Sequence, residues 1–329
     1  VSADAVPFIN LEFTPSYEFH ASKERVGSAS LQREVAGIKG GTWSASFYAK
    51  PNGGTVTVAP DVGEILKAAF GDENLSGDVT YRMHDGTSEV SSPISLQISR
   101  YAGDAFLETA NGCWIEQVDI EIVGNSESII SVSGGFASFG AASTGFQVTA
   151  IHPTTDEVTF TPAVGATVAD DSTIQPFTLA QTLTTNNPLG GVGCGLTIGG
   201  TAVGLISFKC SMKTGIHGLS AEASATAPNR LSLGAREVTG EIQSYFLTST
   251  TATEDISRIV GGAWQGATLA LVARAGADTT KERMKINVPS ARLEVSPVTL
   301  PEAEEVTVTI NFIARQSSAN GDELSVDFD

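Results

Sequence analysis

Basic residues are scarce in this chain. Nineteen Lys and Arg stand against 37 Asp and Glu, a formal net charge of −18 over 329 residues. Tight binding of nucleic acid needs Lys and Arg to displace phosphate counterions, so this balance excludes a protein built to grip DNA or RNA. A surface that nucleic acid passes, and that repels it, stays open. Cysteine is scarcer still: Cys113, Cys194 and Cys210 are odd in number and lack a CxxC spacing. That pattern reads as buried thiols in a reducing, intracellular setting rather than a disulfide framework or a metal knuckle. His20, His84, His152 and His217 lie far apart, none two or four residues from another His or a Cys, which leaves no local zinc pattern. No run approaches the ~18 apolar residues of a membrane span. The first residues, VSADAVPF, lack a basic-then-apolar leader, so the expectation is a chain that enters no membrane.

What is present is β-forming. Hydrophobic residues make up 41% and charged residues 17%, a globular balance, and 34 Gly and 13 Pro cluster between runs rich in Val, Ile and Thr. The length suggests about two domains of roughly 150 residues. One stretch, PDVGEILKAAFG at 60–71, reads as a helix instead. Val62, Ile65, Leu66, Ala69 and Phe70 form one apolar stripe, with Asp61 placed to cap the start and Gly71 the end. A helix with a single greasy face must cover a sheet.

The helix recurs. At a constant offset Asp61 matches Asp255, Val62 matches Ile256, Ile65 matches Ile259, and Leu66 matches Val260; Ala69 matches Ala263 and Phe70 matches Trp264. Upstream, SLQREVAGIKGGTWSASFYAKP (30–51) matches SLGAREVTGEIQSYFLTST (232–250). Downstream, ISLQISRYAGD (94–104) matches LALVARAGAD (269–278), CWIEQVDIEIVG (113–124) matches INVPSARLEVSP (286–297), and SIISVSGGFA (128–137) matches EVTVTINFIA (305–314). Matches in one conserved order indicate two copies of one unit, about 8–140 and 201–315. The expected organisation is a first β-domain over 1–140, an inserted hairpin mini-domain or linker over 141–200, and a second β-domain with a C-terminal hairpin over 201–329. The expected fold is mainly β: two tandem β-sandwich or β-barrel domains, each with one flanking α-helix, plus a small β insert. Val62, Ile65, Leu66 and Phe70, and Ile256, Ile259, Val260 and Trp264, are expected to pack each helix on its sheet.

Local signals fill in the units. Asn111-Gly112 between alternating runs suggests a two-residue hairpin. VTAIHPTTDEVTFT suggests another, turning at Pro153–Asp156. Asn320-Gly321 suggests a third, followed by alternating Leu324, Val326 and Phe328. GGVGCG at 190–195 fails the phosphate-loop pattern, because Leu196 stands where a glycine is needed, and reads as a flexible loop. DENLSG at 72–77 opens like a calcium loop, but Met83 stands where a bidentate Glu belongs, so a polar turn is expected. No nucleophile motif appears, and an enzyme is not expected. Gln117, Asp119 and Glu121 share one strand face opposite Val118, Ile120 and Ile122; they read as a solvated acidic stripe rather than a catalytic pair. Arg292 and Glu294 mark the matching face of the second copy.

SLQREVAGIKGGTWSASFYAKP followed by APDVGEILKAAFGDE resembles the major tail tube proteins of long-tailed bacteriophages. So does ARLEVSPVTLPEAEEVTVTINFIA leading to a closing hairpin. The resemblance covers both repeats and leaves out 141–200. It implies tail-tube-like β-domains whose inner sheets continue from subunit to subunit into a closed barrel, in rings that stack into a DNA conduit. Two copies per chain then imply three chains per pseudo-sixfold ring, in place of the six subunits of single-domain relatives; a second copy decorating a true hexamer is the alternative. The implied partners are further copies of the chain, the tape measure, tail tip and terminator proteins, and double-stranded DNA in passage without specific binding. No cofactor or metal is implied. The implied location is the virion tail, assembled in the host bacterial cytoplasm. Gln117, Asp119, Glu121, Arg292 and Glu294 become candidates for the lumen wall. The rival expectations are a single-ring tail tip or terminator component on the same fold, and a carbohydrate-binding adhesive sandwich, for which Trp43, Trp114 and Trp264 offer little aromatic platform.

Overall fold

The computed structural model describes residues 6–21, 34–51, 58–84, 87–90, 93–102, 105–141, 147–152, 157–161, 187–219, 228, 230–245, 264–274, 283–296, 306–317 and 322–329. The first half gives β1 (Asn10–Ala21), β2 (Glu34–Tyr48), α1 (Gly63–Phe70), β3 (Asp72–Asn74), β4 (Val79–Arg82), β5 (Leu96–Ala102), β6 (Ala105–Val123), β7 (Ile129–Phe136) and β8 (Ser138–Ala141). Between the halves come β9 (Gln147–His152), β10 (Glu157–Thr161), β11 (Gly190–Ile198) and β12 (Thr201–Val203). The second half gives β13 (Leu205–Lys213), β14 (Ile216–Leu219), β15 (Arg230–Leu233), β16 (Glu237–Tyr245), β17 (Trp264–Arg274), β18 (Arg283–Val295), β19 (Thr307–Ala314) and β20 (Ser325–Phe328). The fold is mainly β.

Sixteen strands form one antiparallel sheet whose main path runs β1-β2-β7-β6-β13-β16-β19-β18-β17-β11-β12, with β5 and β8 on β6. The order β1-β2-β7-β6-β5 in the first half recurs as β13-β16-β19-β18-β17 in the second. The halves meet where β6 pairs with β13, from Gln117↔Lys213 to Val123↔Ser207. Two further ties cross between them. The last strand, β20, lies between β4 of the first half and β18 of the second. Leu189, just before β11, donates its N–H to Ala49 O at 2.8 Å and accepts from Ser128 N at 2.7 Å, while β11 itself pairs with β17. One hydrophobic core therefore runs through both halves, from Phe47 and Ile120 to Phe208, Ile242 and Phe312. Two self-contained sandwiches, each closed on its own core, are not what these residues form: edge strands of each half are completed by the other.

The first helix sits where its stripe demands. Val62, Ile65, Leu66, Ala69 and Phe70 are all buried, and α1 packs on β6, β3 and β4. Gly71 closes it at φ +94°, its N–H reaching Lys67 O at 2.8 Å, a left-handed cap that a Cβ would strain. The start differs from expectation. Val62, not Asp61, is the N-cap residue, and it supplies no side-chain cap bond. In the second copy, Ile256, Ile259 and Val260 lie outside the described residues. Trp264 opens β17, opposite Leu293.

Other local expectations divide. His152↔Glu157 closes the β9–β10 hairpin across 153–156, as expected. Leu324, Val326 and Phe328 are buried, in step with their alternation; Asn320-Gly321 lies outside the described residues. Asn111-Gly112 makes no hairpin. The chain runs straight through it in β6, and Gly112, at φ +63°, marks the register shift between Leu96↔Cys113 and Gln97↔Asn111. An Asn-Gly pair serves a bulge as readily as a turn, because both need a left-handed residue. The reversal falls instead between Ala102 and its partner Ala105. Gly190–Gly195 is no loop either: it begins β11, with an irregularity between Gly190 and Gly195 and Gly193 at φ +81°. Asp72–Asn74 forms a short strand before the expected polar turn, where Ser76 N–H donates to Asn74 Oδ1 at 2.9 Å.

Charge pins the last strand. Arg283 donates to both carboxylate oxygens of Asp329, and Lys285 Nζ lies 2.7 Å from Asp329 Oδ2 and 2.7 Å from Asp78 of the first half. Burial pushes the Asp329 carboxyl up, but hydrogen bonds from Arg283 and Lys285 outweigh it and hold the group below its ordinary 3.8. A depressed carboxyl stabilises the fold above its unfolded pKa and loses that contribution as pH falls through the folded one. Asp329→Asn should therefore cost about 1–3 kcal/mol at pH 7, and the gap to the parent should close as the pH of the urea melts falls below 3.8. The shared core makes a second prediction. Urea unfolding followed by fluorescence and by far-ultraviolet dichroism should give one coincident transition, and Phe70→Ala should move the whole of it by about 3–5 kcal/mol.

Candidate functional site: the polar face of the sheet

Strict alternation gives the sheet one apolar and one polar face. In β6, Val118, Ile120 and Ile122 are buried while Gln117, Asp119 and Glu121 open to solvent. In β13, Phe208, Cys210 and Met212 point in and Lys209, Ser211 and Lys213 point out. In β16, Val238, Ile242 and Ser244 point in and Glu237, Thr239, Glu241, Gln243 and Tyr245 point out. Thr42, Ser44 and Ser46 of β2, Ser131 and Ser133 of β7, and Thr309 and Asn311 of β19 continue the polar face on both sides.

Register places the sequence candidates in adjacent rows of this face. One row runs Ser46, Ser131, Asp119, Ser211, Thr239, Ile313, Arg292. The next runs Tyr48, Ile129, Glu121, Lys209, Glu241, Asn311, Glu294. Gln117 sits one row further, between Ser133 and Lys213. Five residues chosen from two distant segments thus share one continuous surface.

Its cations are paired locally. Lys209 Nζ lies 2.9 Å from Glu121, Lys213 Nζ 2.8 Å from Glu237, and Arg292 3.1 Å from Glu294. The hydrogen bond from Lys209 to Glu121 raises the lysine above its ordinary 10.5. Glu12, Asp119 and Glu241 add negative charge beyond these three pairs; Gln117 Nε2 donates to both Asp119 oxygens, at 2.9 and 2.8 Å, and to Ser211 Oγ at 3.2 Å. The face is therefore net acidic, rich in small hydroxyls and internally bonded. A groove of about 510 Å³ crosses it over Gly240, where a Cβ would stand 2.2 Å from Lys209 O and 2.4 Å from the Phe312 ring. Among the described residues, no group of three or more His, Cys, Asp or Glu is arranged to hold a metal. Such a surface can repel a polyanion and shed it.

Sequence reasoning found one strand of this face in each copy and missed its centre. Lys209, Ser211 and Lys213 alternate with Phe208, Cys210 and Met212 in LISFKCSMK, a period-two signal that was there to be counted. The partners Glu237 and Glu241 follow the same period in β16.

The thiols belong to the core and not to this face. Burial pushes Cys113 and Cys210 up to about 12, and burial also raises the partly covered Cys194. A thiol reagent at pH 8 should therefore leave Cys113 and Cys210 unmodified in the folded protein, with all three reacting in urea; rapid labelling of either would contradict this packing. At the polar face, Lys209→Ala should cost only about 0.2–1 kcal/mol, the range for exposed pairs. Because the lysine is raised on folding, that difference should be complete below 10.5 and fade as pH climbs beyond it. Among the described residues, no helix is long and apolar enough to cross a membrane. Compared with known protein families and with curated proteins, the chain matches none.

Proposed function

We propose that the chain is a structural protein of the phage tail tube type, built of two tandem tube-like β-units, that closes into rings and stacks as a conduit for double-stranded DNA. The observation that carries this reading is the β6–β13 ladder. It joins a strand of the first half to the opening strand of the second, in a strand order that then repeats. The counterpart of β13 is β1, and among the described residues β1 has a partner on one side only. The counterpart of β6 is β18, whose last two residues, Glu294 and Val295, pair with β19 alone, while Ala291 and Leu293 before them also face β17. What β6 does for β13 inside the chain, β18 of one copy would do for β1 of the next. Three chains then supply six units to a ring, and closure removes the open strand edges. Pro15 suits β1 as an edge strand, since proline is confined to such positions.

In this reading the polar face lines the bore. Gln117, Asp119, Glu121, Arg292 and Glu294 belong to the wall, with Lys209, Lys213, Glu237 and Glu241 between them. The net acidic balance keeps phosphate off the wall, so the mechanism is passive and has no catalytic step or cofactor. The tape measure, tail tip and terminator proteins are the further partners, and the virion tail, assembled in the host cytoplasm, is the location.

Electron microscopy of the purified full chain is the test. Stacked rings with threefold or pseudo-sixfold symmetry are expected. Discrete rings that never stack would favour a tip or terminator component, and a monomer at all concentrations would overturn the reading.

A further inference from the structure

In the ring proposed above the outer edge of β18 must open to a second copy, yet the single chain covers part of that edge with its own residues. The repeat locates the edge. Residues 286–297, matched onto 113–124, set Ala291 against Val118, Leu293 against Ile120 and Glu294 against Glu121. Burial keeps the match. Val118, Ile120, Ala291 and Leu293 all face the core, with Val132 and Ile130 of β7, and Ala314 and Phe312 of β19, beside them. On the other side Val118 and Ile120 pair with Met212 and Cys210 of β13. Ala291 and Leu293 pair instead with Ala267 and Trp264, at the opening of β17.

This cover is an extension that the first half lacks. There the corresponding outer strand, β5, begins at Leu96 opposite Cys113, which leaves β6 beyond that point to β13. Cys113 matches Ile286, whose partner is Leu271. β17 begins well before Leu271, at Trp264, and so runs on past Val288, Ala291 and Leu293. The added piece is loosely laddered. Its register slips between Trp264 and Ala267 and again between Ala267 and Leu269. Within the first slip Gly266 stands exposed at φ +78°, and a Cβ there would meet nothing within 4 Å. β11 reaches β17 only from Leu269 on, opposite Ile198. Thr268 is the first residue tied on both sides: its carbonyl accepts from Gly199 N–H at 2.8 Å and its Oγ1 donates to Pro289 O at 3.2 Å. Ala267 is buried but gives up only a methyl group on leaving, so its release exposes little apolar surface.

We propose that Trp264–Ala267 is a removable cap on the β18 edge, which shields that edge in the isolated chain and yields it to a strand of a second copy as rings form. This rests on the ring reading, in which the incoming strand is β1. A bare edge accepts almost any extended chain, and natural sheets cover or blunt such edges. A cap made of two interrupted pairs gives way to a longer unbroken strand and to little else, and β1 runs without a slip from Asn10 to Tyr17. The hinge is the stretch from Gly266 to Thr268, where the strand passes from one neighbour to two. Because only the uncapped form takes a partner, the cap weakens association by the fraction of chains that are open.

The test uses the full chain with Cys194→Ser, in which the remaining native thiols, Cys113 and Cys210, are buried. Ala267→Cys with Ala291→Cys sets two thiols directly opposite each other, where strand geometry admits a disulfide. Oxidised, this variant should stay unassembled; reduced, it should assemble as the parent does. Gly266→Pro cannot hold a positive φ and should free the cap, lowering the protein concentration needed for assembly about tenfold. Oxidised protein that assembles as readily as its reduced form would overturn the cap and leave the tube reading standing. An unchanged threshold in Gly266→Pro would do the same, and that variant alone decides if the reduced double variant fails to assemble. Parent and Gly266→Pro chains that both stay monomeric at every concentration would remove cap and tube together.

Discussion

Everything else in the molecule is organised by the pairing of β6 with β13. A sheet edge is a row of unmet donors and acceptors, and it must be paired, covered or blunted. The first half ends its polar-faced strands at β6, whose segment from Gln117 to Val123 has β7 on one side only until β13 arrives. The second half begins with β13, which would itself be an edge. Pairing the two removes both liabilities at once, and the exposed Lys209–Glu121 pair sits across the seam. Neither half has this ladder alone, so neither buries its full apolar face alone. That is why Phe208, Cys210 and Met212 share one core with Val118, Ile120 and Ile122.

Two later elements reinforce the seam from the apolar side. Val326 and Phe328 of β20 enter the core, with the Phe328 ring edge-on to Tyr81 of β4 at 6.2 Å. The ion pairs of Lys285 with Asp78 and Asp329 hold that strand between the halves. Ion pairs with a buried member such as Asp329 contribute little net stability against an apolar substitute, but removing one partner leaves the other's charge uncompensated and is costly. They therefore act to fix which strand lies beside which. The Leu189 contacts do the same at the other end of β6, and there Gly191 is required because a Cβ would fall 1.8 Å from Val123 O.

Much of this was legible in the chain, and the part that was not has a physical reason. Periodicity exposed α1 and the inward set of β6 because side chains on one face repeat whatever the partner is. The repeat showed because corresponding strands face corresponding neighbours. Periodicity does not say which edge meets which, so the matches could not distinguish two separate sandwiches from one shared sheet. Asn111-Gly112 misled for a similar reason. A left-handed glycine is all the local sequence can advertise, and whether it turns or merely bulges is decided by Leu96 and Gln97 on the strand alongside. Gly190–Gly195 looked unstructured since glycine lacks the side chains by which strands are recognised; β17 and the Val123 carbonyl supply the pairing and close approach that justify it.

The rows across the polar face also carry information about shape. Tyr48 ends β2 and Tyr245 ends β16, yet the row that starts at Tyr48 reaches β16 at Glu241. One unit is thus displaced along the strands relative to the other by a fixed step. A flat sheet has no need of such a step, whereas a sheet that closes on itself must accumulate one and tilt its strands accordingly. If each junction between copies repeats the step taken at β6–β13, the displacement adds around the ring and the strands wind about its axis. The acidic and cationic rows then become slanted lines and not flat bands. In the ring proposed above, a helical polyanion moving along such an axis would meet charge averaged over every height and no single ring of attraction on which to stop. That is the sense in which the seam, besides holding two halves together, sets the surface that anything inside the ring would meet.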